Sequence, residues 1–201
     1  NWIDSTVVSE PQHGIKYNGV FGWSDPLDNR EYAIIGSTAG TYFIEVTNPT
    51  QPILRDFVPG RRDSCIWREI QTYQNFCYMV SDDALPNSFQ IVDLLPLPDS
   101  VHIVHDSTNI MSRCHTIFID GDKLYGGSPK GPFGQSSMSV FSLKNNPASP
   151  FLLRRLEEDY SGMDGTHDMF VRNDTIYASM SYSGFFVFIF DTLLNKFNLI
   201  N

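Results

Sequence analysis

Four stretches of this chain carry the reading of its fold: Phe43-Ile44-Glu45-Val46-Thr47-Asn48-Pro49, Gln90-Ile91-Val92-Asp93-Leu94, Ser139-Val140-Phe141-Ser142-Leu143 and Phe188-Ile189-Phe190-Asp191-Thr192. Each opens as a run of Val, Ile or Phe, passes through an acidic or polar residue, and enters the Asn, Pro or Leu residues of a turn. With Glu45, Asp93, Ser142 and Asp191 as anchors the gaps are 48, 49 and 49 residues, a regularity that chance does not supply. A second feature keeps step upstream of the later three anchors: Trp67-Arg68-Glu69-Ile70, Cys114-His115-Thr116-Ile117 and Thr166-His167-Asp168-Met169. Positions 68, 115 and 167 lie 47 and 52 residues apart. Val20-Phe21-Gly22-Trp23 holds the corresponding place in the first unit, without a charged residue or a histidine.

Working outward, each unit parses into four short strands. In the second they fall at Glu69–Tyr73, Phe76–Ser81, Phe89–Asp93 and His102–Asp106. Tight-turn chemistry separates the first two strands of the later units: Gln74-Asn75, Asp120-Gly121-Asp122 and Arg172-Asn173-Asp174, residue types that tolerate the positive φ of a hairpin. No segment repeats apolar residues at i, i+3, i+4 and i+7 over three turns, so long amphipathic helices are excluded. Four strands per unit at a period of 40–50 residues is the pattern of a β-propeller blade. The expected fold is all-β, a propeller of four-stranded antiparallel blades with about four repeats present. The blades fall near 17–60, 61–107, 112–158 and 160–201, after an N-terminal arm of residues 1–16.

Composition agrees. The 201 residues are 41% hydrophobic and 18% charged, enough apolar content for a core, and the 15 Phe, 9 Tyr, 14 Gly and 12 Pro favour short strands joined by turns. The net charge is −9 and the pI about 4.8. Basic residues pair only at Arg61-Arg62 and Arg154-Arg155, which excludes an electrostatic footprint for nucleic acid. The longest apolar run, Phe185–Phe190, has six residues, far short of the roughly 20 that a transmembrane helix needs. The chain opens at Asn1 with no methionine or signal pattern, which reads as a processed or trimmed start. The sequon Asn173-Asp174-Thr175 is compatible with secretion.

The phrases Tyr42 to Pro49, Ile66-Trp67-Arg68-Glu69-Ile70, Cys114-His115-Thr116-Ile117 and Thr166-His167-Asp168-Met169 resemble those of the LVIVD-repeat propellers. They are closest to the choice-of-anchor B family of secreted or surface-anchored proteins. Asn1-Trp2-Ile3-Asp4, Tyr17 to Trp23 and Glu31 to Gly36 are similar to the start of that family's domain. Family domains continue with further blades, whereas this chain stops at Asn201 in the last strand of its fourth unit. The resemblance therefore implies part of a larger ring, on or outside the cell. The alternative is a closed four-bladed ring whose last sheet Thr6–Ser9 completes. Open propeller edges would invite a homodimer.

In a propeller the first strand of each blade lines the central channel. Trp67, Arg68, Glu69, His115, His167 and Asp168 are thus the candidate ligand-binding rim, with Thr116 beside His115. His115, His167 and Asp168 are suitable donors for a divalent metal, and Arg68 for a carboxylate or phosphate. The competing expectation is structural: a polar residue at each blade's start ties neighbouring blades together. Elsewhere the signals are weak. Gly126 to Gly134 lacks P-loop spacing and reads as a surface hairpin loop. Asp82-Asp83, Asp120-Gly121-Asp122 and Glu157-Glu158-Asp159 read as solvated turns or an exposed connection. No nucleophile elbow is present. Of Cys65, Cys77 and Cys114, at most one pair can bridge, and Cys65 with Cys114 is the conceivable one.

Two functions remain. The first is a non-enzymatic extracellular or surface scaffold that binds a protein or a small ligand. The second is a metal-dependent, lactonase-like hydrolase, which requires three or more of Glu69, His115, His167 and Asp168 to meet at one point.

Overall fold

A computed structural model describes residues 16–83 and 85–200. The opening Asn1–Asp4, the Thr6–Ser9 strand, the arm up to residue 15 and Asn201 lie outside the described residues. Two halves separate, Asn1–Asp106 and Ser107–Asn201, and each contains two four-stranded antiparallel sheets. Among the described residues helix is confined to 3-10 turns at Leu156–Glu158 and Ser181–Ser183. No helix is long and apolar enough to cross a membrane.

In the first half, β1 (Tyr17–Ser24), β2 (Glu31–Ser37), β3 (Gly40–Glu45) and β4 (Ile53–Pro59) pair in chain order. So do β5 (Arg68–Tyr73), β6 (Phe76–Ser81), β7 (Phe89–Asp93) and β8 (His102–Ser107). The second sheet matches its expected strands to within one residue, because its hairpin turns and alternating burial are local signals. In the second half, β9 (Thr116–Asp120), β10 (Lys123–Gly127), β13 (Met138–Ser142) and β14 (Phe151–Arg155) form the third sheet. A small hairpin of β11 (Lys130–Gly131) and β12 (Gly134–Gln135) interrupts it, within the surface loop expected over Gly126 to Gly134, whose first two glycines instead end the buried β10. The fourth sheet is β15 (Asp168–Arg172), β16 (Thr175–Met180), β17 (Gly184–Asp191) and β18 (Lys196–Leu199).

Register refines two alignments. The residue facing the start of the second strand is Glu45, Asp93 and Ser142 in the first three sheets, opposite Tyr32, Phe76 and Lys123. In the fourth it is Ile189, opposite Thr175, because β17 runs two residues longer. The Asp191 carboxylate instead accepts the N–H groups of Leu193 and Leu194 and caps the next turn. In the first sheet the rung of Arg68, which faces Ser81, belongs to Tyr17, which faces Ser37, and not to Val20–Trp23. A bulge at Gly19, with φ of +57°, and a longer β1–β2 loop displace the count.

In each half a large apolar core lies between the two sheets, and in the first half Tyr42 and Ile44 form a smaller cluster with Tyr17, Ile35 and Phe57. Trp23, Tyr32, Ile34, Phe43 and Val58 of the first sheet meet Ile70, Cys77, Met79 and Val92 of the second. Tyr125, Met138, Val140 and Leu156 meet Met169, Val171, Ile176, Ala178 and Phe188 in the other half. Burying such an aromatic is worth about 2–3 kcal/mol. Polar ties then fix the register between sheets. Trp23 Nε1 donates to Gln74 O at 2.9 Å, and Val101 N–H to the Asp56 carboxylate at 2.7 Å. In the second half Tyr125 Oη donates to Asp174 at 2.7 Å and Phe197 N–H to Asp159 at 2.9 Å.

Asp159 lies in the acidic run read from sequence as exposed, yet its side chain is nearly buried. Burial raises its pKa, but the Arg154 guanidinium at 2.7 Å and the Phe197 N–H outweigh that and hold it below the usual carboxylate value. Glu157 is likewise used, accepting the Ser136 hydroxyl at 2.7 Å and the Ser137 N–H. Asp159→Asn is expected to lower the unfolding free energy by about 1–2 kcal/mol at neutral pH. A depressed carboxyl contributes stability above its unfolded pKa of about 4 and loses it as pH falls through the lower folded value. The gap between wild type and variant should therefore close on acidification below that range, read by urea unfolding at stepped pH.

Candidate functional site

The three rim positions read from sequence do share one place in their sheets. Arg68, His115 and His167 each stand five residues before the last residue of the first strand, Tyr73, Asp120 and Arg172. Their environments differ.

In the first half β5 lies alongside β1, and Arg68 is buried there. Its Nε donates to Ser37 O at 2.6 Å and its Nη2 to Arg62 O at 3.2 Å, while its N–H reaches Asn18 Oδ1 at 3.2 Å. The guanidinium fills the space where Gly60 would carry a Cβ, so any larger residue there displaces it. Burial lowers its pKa, yet an arginine stays charged, and two of its donors are met by these carbonyls. Arg68 is thus an inter-sheet tie and not a rim group awaiting an anion. Glu69 is half-buried on the next rung, and Trp67 is 51% exposed.

Asp83, read from sequence as a solvated turn, organises the approach to β5. One oxygen accepts the Cys65 thiol at 2.6 Å and the Trp67 N–H at 3.2 Å, and the other accepts the Ile66 N–H at 2.8 Å. Burial, with Asp83 adding to it against the opposing pull of Arg68, pushes the Cys65 thiol up to about 11. All three cysteines are free thiols and buried, so the conceivable Cys65–Cys114 bridge is not formed. Burial also raises Cys77, deep in the first half's core. The Cys114 sulfur instead sits 3.1 Å from the carbonyls of Thr116 and Gly127.

In the second half β9 and β15 run side by side, and there two of the predicted residues come together. The His115 and His167 rings lie with centroids 4.8 Å apart and planes tilted by 47°. Their backbones are pinned as the strands begin: His115 N–H donates to Gly127 O at 3.0 Å and His167 N–H to Ser179 O at 2.8 Å. His115 is half-buried, whereas His167 and Asp168 are exposed. Asp168 Oδ1 accepts the N–H of Met169 at 2.8 Å. Two imidazoles so placed can share one hydrogen-bond acceptor or offer two nitrogens to one ion. Among the described residues, however, no three His, Cys, Asp or Glu side chains converge as a metal-holding group.

Sequence reasoning missed the groups that hold these positions. Asp174, in the β15–β16 turn, receives Tyr125 Oη at 2.7 Å and Lys123 Nζ at 3.0 Å, while Asp120 accepts the Asp174 N–H at 3.0 Å. The aspartates in hairpin motifs were the available signal, but a turn aspartate looks alike in sequence whether it faces water or a neighbouring sheet.

No protein-family model matches the chain, and no curated protein matches it. Among solved structures its fold is similar to the computationally designed Ika8 protein, with a TM-score of 0.61 over 94% of this chain at 9% identity. This chain spans about half, 49%, of that protein's length. A chain from an S. cerevisiae structure of Dbp5 bound to Nup159 and Gle1 with IP6 and ADP gives a TM-score of 0.46 at 8% identity. That match covers 87% of this chain and 45% of the other, and it is too weak to carry an argument. The first likeness supports the all-β, multi-sheet fold and says nothing of activity.

Two outcomes follow from the geometry. Arg68→Lys keeps the charge but loses the fork that reaches two carbonyls, and should cost about 2–3 kcal/mol in urea unfolding. The double change His115→Ala/His167→Ala should cost less than about 1.5 kcal/mol, the scale of one ring contact. An equal loss in both variants would make the histidines structural ties as well. Separately, protein unfolded without reductant should titrate three thiols with Ellman's reagent, and the native protein close to none over minutes.

Proposed function

We propose that the sheets are blades of a β-propeller and that the protein is a non-enzymatic binding scaffold. The observation that carries this reading is the His115–His167 pair, set at the starts of two adjacent first strands with His167 open to solvent. Such a pair is suited to holding an acceptor group of a ligand, a carboxylate above all, by two N–H donors. The hydrolase reading needs a third donor at the same point, and the described residues bring none into a group with the pair. Arg68 and Cys65, the other reactive types at equivalent places, have their polar atoms engaged with backbone and Asp83.

We further propose a location outside the cell or on its surface, which rests on the likeness of the blade phrases to the LVIVD-repeat, choice-of-anchor B proteins. The sequon is compatible with it, since Asn173 stands exposed at a hairpin tip with φ of +52°, where a glycan has room.

The test has two arms on one preparation, purified without chelator. Elemental analysis by inductively coupled plasma mass spectrometry is expected to find no stoichiometric transition metal. Titration with malonate at mildly acidic pH is expected to shift the imidazole NMR signals of His115 and His167 together. Stoichiometric metal in wild type that is lost in His115→Ala/His167→Ala would overturn the scaffold reading in favour of a metal enzyme. Imidazole signals unmoved by the dicarboxylate would remove the carboxylate-binding role.

A further inference from the structure

We infer that Arg61-Arg62 is a proteolytic processing site, cut after Arg62 by a protease that takes paired basic residues, and that the cut chain stays assembled. The sequence holds two adjacent arginine pairs, Arg61-Arg62 and Arg154-Arg155, and the fold treats them oppositely. Arg154 and Arg155 stand in β14, facing Val140 and Ser139 of β13. Arg154 reaches the Asp159 carboxylate at 2.7 Å and that of Glu158 at 3.2 Å. Arg155 donates its N–H to Glu158 Oε1 at 2.8 Å and its Nη1 to Phe133 O at 3.0 Å. Both are half-buried. A pair whose backbone is in a sheet ladder and whose side chains are engaged is closed to a protease, which needs a free extended segment.

Arg61, Arg62 and Asp63 instead stand exposed in the irregular run between β4 and β5. Among the described residues, the peptide groups from Arg61 to Ser64 make one hydrogen bond, from Arg68 Nη2 to Arg62 O at 3.2 Å. Fixed points flank the run: Gly60 N–H donates to Ala39 O at 2.9 Å, and Ile66 N–H to the Asp83 carboxylate at 2.8 Å. Arg61 Nε lies 3.7 Å from the Asp106 carboxylate, a partly exposed pair that restrains it little. An exposed connection with so few backbone bonds opens locally at small cost, and such connections are where nicking concentrates.

The partner is a serine protease whose S1 pocket carries a carboxylate to receive arginine. The step consumes one water: the bond from the Arg62 carbonyl carbon to the Asp63 nitrogen breaks, leaving a carboxylate on Arg62 and an ammonium on Asp63. The oxygen that changes is the one the buried Arg68 guanidinium already holds. As part of a carboxylate it gives a buried cation an anionic partner, and a charge-assisted bond is roughly twice as strong as a neutral one. The sheets on either side of the cut keep their other ties. Trp23, Tyr32 and Phe43 pack on Ile70, Met79 and Val92. Arg68 Nε donates to Ser37 O at 2.6 Å, Gln90 Nε2 to Pro59 O at 3.0 Å, and Trp23 Nε1 to Gln74 O at 2.9 Å. None of these runs through residues 61–64, so the cut removes a connection and leaves the core.

The inference is independent of what the histidine pair binds. The probe is kexin, a protease that cuts after paired basic residues. Synthetic peptides spanning each arginine pair should both be cut, because the sequences alone are substrates. The native chain should be cut once, and mass spectrometry should identify the pieces as residues 1–62 and 63–201. Those pieces should elute together with the mass of the uncut chain in size exclusion and separate only in denaturing gels. Arg61→Gln/Arg62→Gln should resist the protease and keep the circular dichroism spectrum and urea midpoint of wild type, since both side chains are exposed and the tie to Arg68 uses only a backbone oxygen. A first cut after Arg155, a native chain or an Arg61-Arg62 peptide left whole, or pieces that part without denaturant would each overturn the proposal.

Discussion

A four-stranded sheet with strands of five or six residues cannot bury its own apolar face; it must be covered by another layer. Most of this structure follows from that constraint. In each half, two such sheets close a core between them: Trp23, Tyr32 and Phe43 against Ile70, Met79 and Val92 in the first, and Tyr125 against Phe188 and Phe190 in the second. The polar groups serve the same end. Trp23, Tyr125, Val101 and Phe197 donate across the gap to acceptors in a hairpin, a strand or a 3-10 turn, so the sheets are fixed in register as well as held together.

The same constraint decides what the candidate site is. Three residues at one register position looked equivalent in sequence, but a residue there can serve a neighbouring sheet or face solvent. Arg68 took the first course, because Gly60 leaves room for a guanidinium and Ser37 and Arg62 present carbonyls to it. The two histidines meet because β9 and β15 lie side by side, which brings their ring centroids to 4.8 Å. The pair lies where these two strands begin.

Strand boundaries in the second sheet were legible almost to the residue, since hairpin turns at Gln74-Asn75 and alternating burial are both local features. The equivalence of Arg68, His115 and His167 was legible for the same reason, each lying a fixed number of residues before a turn. Less was legible where geometry departs from counting. The Gly19 bulge moved Tyr17 into the rung assigned to Val20–Trp23, and the longer β17 moved Ile189 into the rung assigned to Asp191. The roles of Asp83, Asp159 and Asp174 were hidden because a turn carboxylate acquires its donors from residues distant in the chain.

By itself, then, the sequence determined that the chain is all-β, where many of its strands begin and end, and which residue types recur at the start of each unit. These are consequences of alternation, turn chemistry and spacing, which act over a few residues. Only the tertiary structure decided that Arg68 is buried as a tie, that His115 and His167 come together, and that no cysteines are bridged. Each of these depends on which strand lies beside which, and that is set by packing between residues some 50 positions apart.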